Sequence, residues 1–108
     1  MKIPEIITRY IDASNRFDAT AAADCFCADA HVHDENQDHR GQESIRDWIV
    51  DYTRKYRPQA EVLRTEGNAD EWRLTVHTSG SFPGSPIDLD YAVILRDGKI
   101  SSLKFSSP

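Results

Sequence analysis

The spacing of hydrophobic residues in this chain changes near Pro58, from a helical period before it to strict alternation after it. Over Gln42–Tyr56, the residues Ile45, Trp48, Ile49, Tyr52 and Tyr56 recur every three or four positions and form one apolar face, ended by Pro58. Ile3, Ile6, Ile7, Tyr10 and Ile11 predict a first helix that opens at Pro4 and runs to about Ser14. Asp18 is placed to cap a short alanine-rich helix, Ala19–Phe26. Ala30–Asp34 reads as a short strand, and Glu35–Arg40 as a polar loop leading to a helix opened by Gly41.

Beyond Pro58, Glu61–Glu66, Trp72–Ser79, Ile87–Leu95 and Lys99–Phe105 read as strands. Polar turns separate them at Asn68–Glu71 and at Arg96–Lys99, which carries the hairpin pair Asp97-Gly98. Short connections predict an antiparallel meander. Trp72, Leu74 and Val76 alternate with Arg73, Thr75 and His77; Leu89, Tyr91, Val93 and Leu95 alternate with Asp88, Asp90, Ala92 and Ile94. One face is therefore apolar and the other mixed, which fits a sheet that covers helices on one side and meets a second copy of the chain on the other. Two prolines bar Phe82-Pro83-Gly84-Ser85-Pro86 from a central strand, so it is expected as a bend or bulge at the sheet edge. The expected fold class is α+β: three N-terminal helices packed into a curved, mostly antiparallel sheet with an internal pocket.

With 108 residues, the chain suits one domain, 1–108. A net charge of −5 without a cluster of Lys and Arg argues against nucleic acid as a partner. No apolar run approaches the length of a membrane span, and MKIPEIITRY lacks the apolar core of an export signal, so a cytoplasmic location is expected. Cys25 and Cys27 stand too close in sequence for an ordinary disulfide and read as reduced thiols.

The chemistry concentrates between Phe26 and Trp48. On the strand from Ala30, Asp34 shares a face with Val32, whereas His31 and His33 point the other way. A carboxylate beside Trp48 and Tyr52 in a poorly hydrated cleft would have its pKa raised, which suits a general acid or base. The competing reading makes Asp34 a strand-end residue that caps the following loop. His31, His33 and His39 with Asp38 form an N/O set that a metal would accept, but the spacing is not diagnostic, and surface histidines in a hydrophilic window are the plainer reading. No metal and no cofactor are expected. Trp48, Tyr52, Val32, Phe82 and Phe105 are the expected lining of a pocket for a small organic molecule. No glycine-rich phosphate loop or nucleophile elbow occurs.

Ala30-x-Val32-x-Asp34, a loop, Gly41-x-x-x-Ile45 and a helical aromatic, followed by Phe82-Pro83-Gly84-Ser85-Pro86-Ile87-Asp88-Leu89 and Leu95-Arg96-Asp97-Gly98-Lys99-Ile100, resemble the SnoaL-like members of the nuclear-transport-factor-2-like superfamily. The resemblance covers nearly the whole chain. It implies a cystatin-like cone with an internal pocket and a cofactor-free acid–base enzyme of isomerase, cyclase or hydratase type. A non-catalytic small-molecule binder or dimeric association module of the same fold is the alternative. Ketosteroid isomerase belongs to this superfamily. Tyr10-Ile11 and Val32-His33-Asp34 resemble its motifs, which implies Tyr10 as the oxyanion donor and Asp34 as the proton-shuttling base. Its third element falls on Asp90, or on Tyr91 with a one-residue gap, and strand parity turns Tyr91 toward the interior. The polar run Glu35–His39 departs from a steroid site and looks more like SnoaL-like cyclases, where a histidine such as His39 can assist at the pocket mouth.

Overall fold

The computed structural model describes residues 3–108. Met1 and Lys2, where the segment read as lacking an export signal begins, lie outside the described residues. The elements run α1 (Glu5–Asn15), α2 (Ala19–Ala23), β1 (Phe26–Asp34), β2 (Gln37–Arg40), α3 (Gln42–Tyr56), β3 (Gln59–Asn68), β4 (Glu71–Ser79), β5 (Ile87–Arg96) and β6 (Lys99–Ser106). Pro4 caps α1 with extended backbone, and its carbonyl accepts from the Ile7 amide at 3.0 Å. The Asp18 carboxylate accepts from the Ala21 amide at 3.0 Å, the expected cap of α2. Helix α3 opens at Gly41, whose φ of +84° is costly for residues with a Cβ; its N–H donates to Ala30 O at 2.8 Å and ties the helix start to β1. At the other end, Arg57 adopts the left-handed C-cap, and its guanidinium lies 4.4 Å over the Phe17 ring.

The six strands form one sheet in the order β2-β1-β6-β5-β4-β3. Strands β3 to β6 make the expected antiparallel meander, and β1 joins it parallel to β6. The inner face of the sheet carries Leu74, Val76, Val93 and Leu103, all fully buried, against Ile7, Ile45 and Ile49 from the helices. Each such side chain removed from water contributes roughly 1.5–3 kcal/mol. No helix among the described residues is long and apolar enough to cross a membrane.

Two expected boundaries are corrected. Helix α2 stops at Ala23, and Phe26 instead begins β1, paired with Ile100 and fully buried. Cys25-Phe26-Cys27 continues an apolar run in which helix and strand look alike, and only β6 decides between them. The stretch Glu35–Arg40 is not a loop. Glu35 and Asn36, with φ of 51° and 61°, form a two-residue turn, and Gln37–Arg40 folds back on β1 with Val32 opposite His39 and His33 opposite Asp38. Glu-Asn lacks the glycine that usually announces such a turn, so the hairpin has a weak local signature.

Candidate active site

Helices α1 and α3 close over the concave inner face of the sheet and leave a cavity of ≈ 340 Å³, within the usual range for small-molecule sites. Its wall comes from Tyr10 and Ser14 of α1, Trp48, Tyr52 and Tyr56 of α3, Asp34 at the end of β1, Thr78 of β4, Leu89 and Tyr91 of β5, Phe105 of β6, and the Phe82-Pro83 bend. The lining is mostly apolar, with several hydroxyls and the Asp34 and Glu35 carboxylates contributed by different elements.

Parity along β1 turns Asp34 to the same side as Ala30 and Val32, which are both fully buried. Because β1 ends here, the carboxyl stands at the cavity wall rather than inside the core. Trp48 Nε1 donates to Asp34 Oδ2 at 3.1 Å. Burial pushes the Asp34 pKa above the usual carboxylate range and the neighbouring Glu35 charge adds to this, while the Trp48 hydrogen bond, His39 and the Glu35 backbone N–H oppose it. The balance leaves a carboxyl that takes up a proton more readily than a surface aspartate.

Tyr10 and Ser14 lie one turn apart on α1, as Trp48 and Tyr52 do on α3, so each helix presents a pair to the cavity. Ser14 Oγ and Tyr52 Oη are 2.7 Å apart, and Tyr52 Oη lies 3.4 Å from Tyr10 Oη. Burial raises the pKa of Tyr10 and Tyr52. Tyr91 is likewise raised, chiefly by burial. All three therefore remain neutral phenols at physiological pH, able to donate a hydrogen bond. The Asp34 charge acts on each of them, so carboxyl and phenols share one electrostatic environment.

Tyr10, Asp34, Trp48, Tyr52, Phe82, Tyr91 and Phe105 are brought together on the wall. Val32 is not among them. It is fully buried in the core, behind the cavity. His39 does not line the cavity either: opposite Val32 on β2, it stacks on the Trp48 ring at 5.7 Å and reaches Asp34 only through its charge. Asp88 and Asp90 face outward, bonded to His77 Nδ1 at 2.8 Å and Thr75 Oγ1 at 3.3 Å respectively. His31 and His33 also face outward and converge on Asp38 Oδ1 at 2.7 and 2.9 Å, hydrogen bonds that hold the Asp38 carboxyl below the usual range. Among the described residues no group of His, Cys, Asp and Glu has the geometry to hold a metal ion.

Ser14 and Thr78 are cavity residues that the sequence reading did not single out. Each had a signal: Ser14 lies four residues after Tyr10, and Thr78 shares strand parity with Leu74 and Val76.

A helix-covered, curved six-stranded sheet with two carboxyls and four phenols around its inner cavity defines a cone of the nuclear-transport-factor-2-like type. The chain belongs to the SnoaL-like domain family, whose model matches residues 7–103. Among solved structures, a candidate polyketide cyclase from Sinorhizobium meliloti is 34% identical, with a TM-score of 0.93 over 96% of this chain and 95% of that one. A protein of ketosteroid isomerase-like fold from Catenulispora acidiphila, in complex with trimethylamine, is 19% identical with a TM-score of 0.87, covering 97% of this chain and 86% of that one. An epoxide hydrolase/cyclase-like enzyme of pyran ring formation in salinomycin is 17% identical with a TM-score of 0.81, covering 94% and 86%. At these identities the last two show the fold alone. No curated protein matches the chain.

Proposed function

We propose that this protein is a cofactor-free acid–base enzyme acting on a small, largely apolar organic molecule that carries an enolisable carbonyl. The observation that carries the reading is the Asp34 carboxyl, held by Trp48 on the wall of an apolar cavity and pushed up in pKa by burial. Ionised, Asp34 removes a proton from the carbon beside the carbonyl. The electron pair of that C–H bond moves into the enolate, and Tyr10 donates a hydrogen bond to the oxygen that gains charge. Returning the proton from Asp34 to another carbon of a conjugated enolate isomerises the compound; attack of the enolate carbon on a second carbonyl of the same molecule closes a ring, and the alkoxide so formed takes the proton from Asp34. If Ser14 donates to Tyr52 and Tyr52 to Tyr10, the Tyr10 proton is left for the ligand. Tyr91 supplies a second donor from the sheet side, and His39 acts as a positioning residue behind Trp48. The candidate polyketide cyclase at 34% identity supports a carbonyl compound as the substrate class.

The test is hydrogen–deuterium exchange at the α-carbon of an enolisable ketone such as 2-tetralone, followed by NMR in D2O. Wild type should accelerate exchange, and a folded Asp34→Asn should not. Equal exchange by the two proteins would refute the mechanism. Ketone binding without exchange in wild type would identify a binding module of the same fold instead.

We further propose that residues 1–108 act as one domain, and as a homodimer paired through the outer sheet face, where Ile94 of β5 is 45% exposed. Sedimentation should give twice the chain mass; a monomer at micromolar concentration would exclude the dimer. The buried free thiols of Cys25 and Cys27 fit a reducing compartment, the cytoplasm, and a fluorescent fusion found elsewhere would contradict that location.

A further inference from the structure

Thr78 is 8% exposed and stands on the cavity side of β4, and its Oγ1 has no hydrogen-bond partner among the described residues. A buried hydroxyl left in this state is uncommon, because it has given up water without a replacement. Thr53 Oγ1 on α3 is also without a partner, but Thr53 does not line the cavity. The neighbour that responds to Thr78 is Tyr91. Of the side chains acting on the Tyr91 phenol, Tyr52 and Asp34 oppose its ionised form and Thr78 alone favours it, the influence of a donor. The two hydroxyls line the same cavity from neighbouring strands, and no hydrogen bond has formed between them. Donor pairs in empty catalytic cavities are often loose in this way and tighten when a ligand arrives.

We propose that Thr78 is a positioning residue for Tyr91: its hydroxyl donates to Tyr91 Oη and thereby turns the phenol proton toward an acceptor oxygen of the ligand. The inference rests on the reading of Tyr91 as a donor to the ligand. It gives the sheet wall the same construction as the helix wall, where Tyr52 stands behind Tyr10. Thr78 also cannot act by touching the ligand first, since its oxygen is covered in the empty cavity. Asp34, Tyr10 and Tyr52 are the other titratable groups whose charge couples to the Tyr91 phenol or is coupled to it.

The test compares wild type, Thr78→Val and Thr78→Ser in binding 2-naphthol, which offers one acceptor oxygen, and naphthalene, which offers none. Removing one neutral hydrogen bond should weaken 2-naphthol about three- to tenfold in Thr78→Val, leave naphthalene unchanged, and be restored in Thr78→Ser. Equal 2-naphthol affinity in all three proteins overturns the proposal, as does equal weakening of both probes or failure of 2-naphthol to bind wild type. None of these readouts depends on Asp34, so the acid–base reading stands or falls separately through ketone exchange.

Discussion

Replacing Trp48 with Phe isolates the one side-chain hydrogen bond that the structure places on the candidate base. Trp48 Nε1 donates to Asp34 Oδ2 at 3.1 Å, while its ring packs edge-on against Tyr52 at 4.8 Å and Phe105 at 5.6 Å. Phe keeps an aromatic ring there and removes only the donor. A hydrogen bond to a charged acceptor contributes about 1.5–3 kcal/mol, and a tenfold change in protonation corresponds to about 1.4 kcal/mol. The bond favours the ionised carboxylate, so its loss favours the protonated form and the Asp34 titration midpoint rises by roughly 1–2 pH units. Water entering the cavity could replace part of the lost bond, which places the expected value toward the lower end. The assay is a 13C NMR titration of the Asp34 side-chain carboxyl in both proteins, with Asp34→Asn to assign the resonance. The acid limb of the ketone exchange profile should move upward with it. A midpoint that stays still or falls would show that the indole N–H is not what holds the carboxylate, and the electrostatic account of the site would fail.

Asp34→Asn should raise folding stability at pH 7 even as it removes exchange activity. The folded carboxyl has a raised pKa, so its contribution to stability is fully present below the unfolded pKa of about 3.9 and declines as pH rises through the folded value. The gain over wild type, read from urea unfolding, should therefore vanish below about pH 4, and a gain that persists there would point to packing instead. Tyr52→Phe removes the partner of Ser14 Oγ at 2.7 Å and should cost about 1–2 kcal/mol of stability. Adding Ser14→Ala to it should cost little more; additive losses in a double-mutant cycle would show that the two hydroxyls do not act together.

The sequence pattern specified the elements where period and punctuation agree. The α3 stripe from Ile45 to Tyr56, the Asp18 cap, the Asp97-Gly98 turn and the alternation through β4 and β5 are local signals, and each appears in the fold where the residues predict it. Parity also carried information about the site, since it turned Asp34 and Tyr91 inward and Asp88 and Asp90 outward. It failed where the deciding partner is distant. Phe26 becomes a strand residue because Ile100 offers it a ladder, and Gln37–Arg40 pairs only through the left-handed turn at Glu35-Asn36.

The candidate site divides along the same line. Residue type and strand position marked Asp34 for acid–base work and turned it inward, because side-chain direction follows from φ, ψ and position within an element, whereas the donor roles of Tyr10 and Tyr91 came from the family resemblance. Tertiary structure decided the rest. It set Trp48 Nε1 on Asp34, joined Ser14 and Tyr52 across 38 positions, left Val32 in the core and His39 behind the indole, and brought Thr78 to the wall that Tyr91 also lines. Those outcomes depend on how helices cross a curved sheet and where its strands end, and no local period records either.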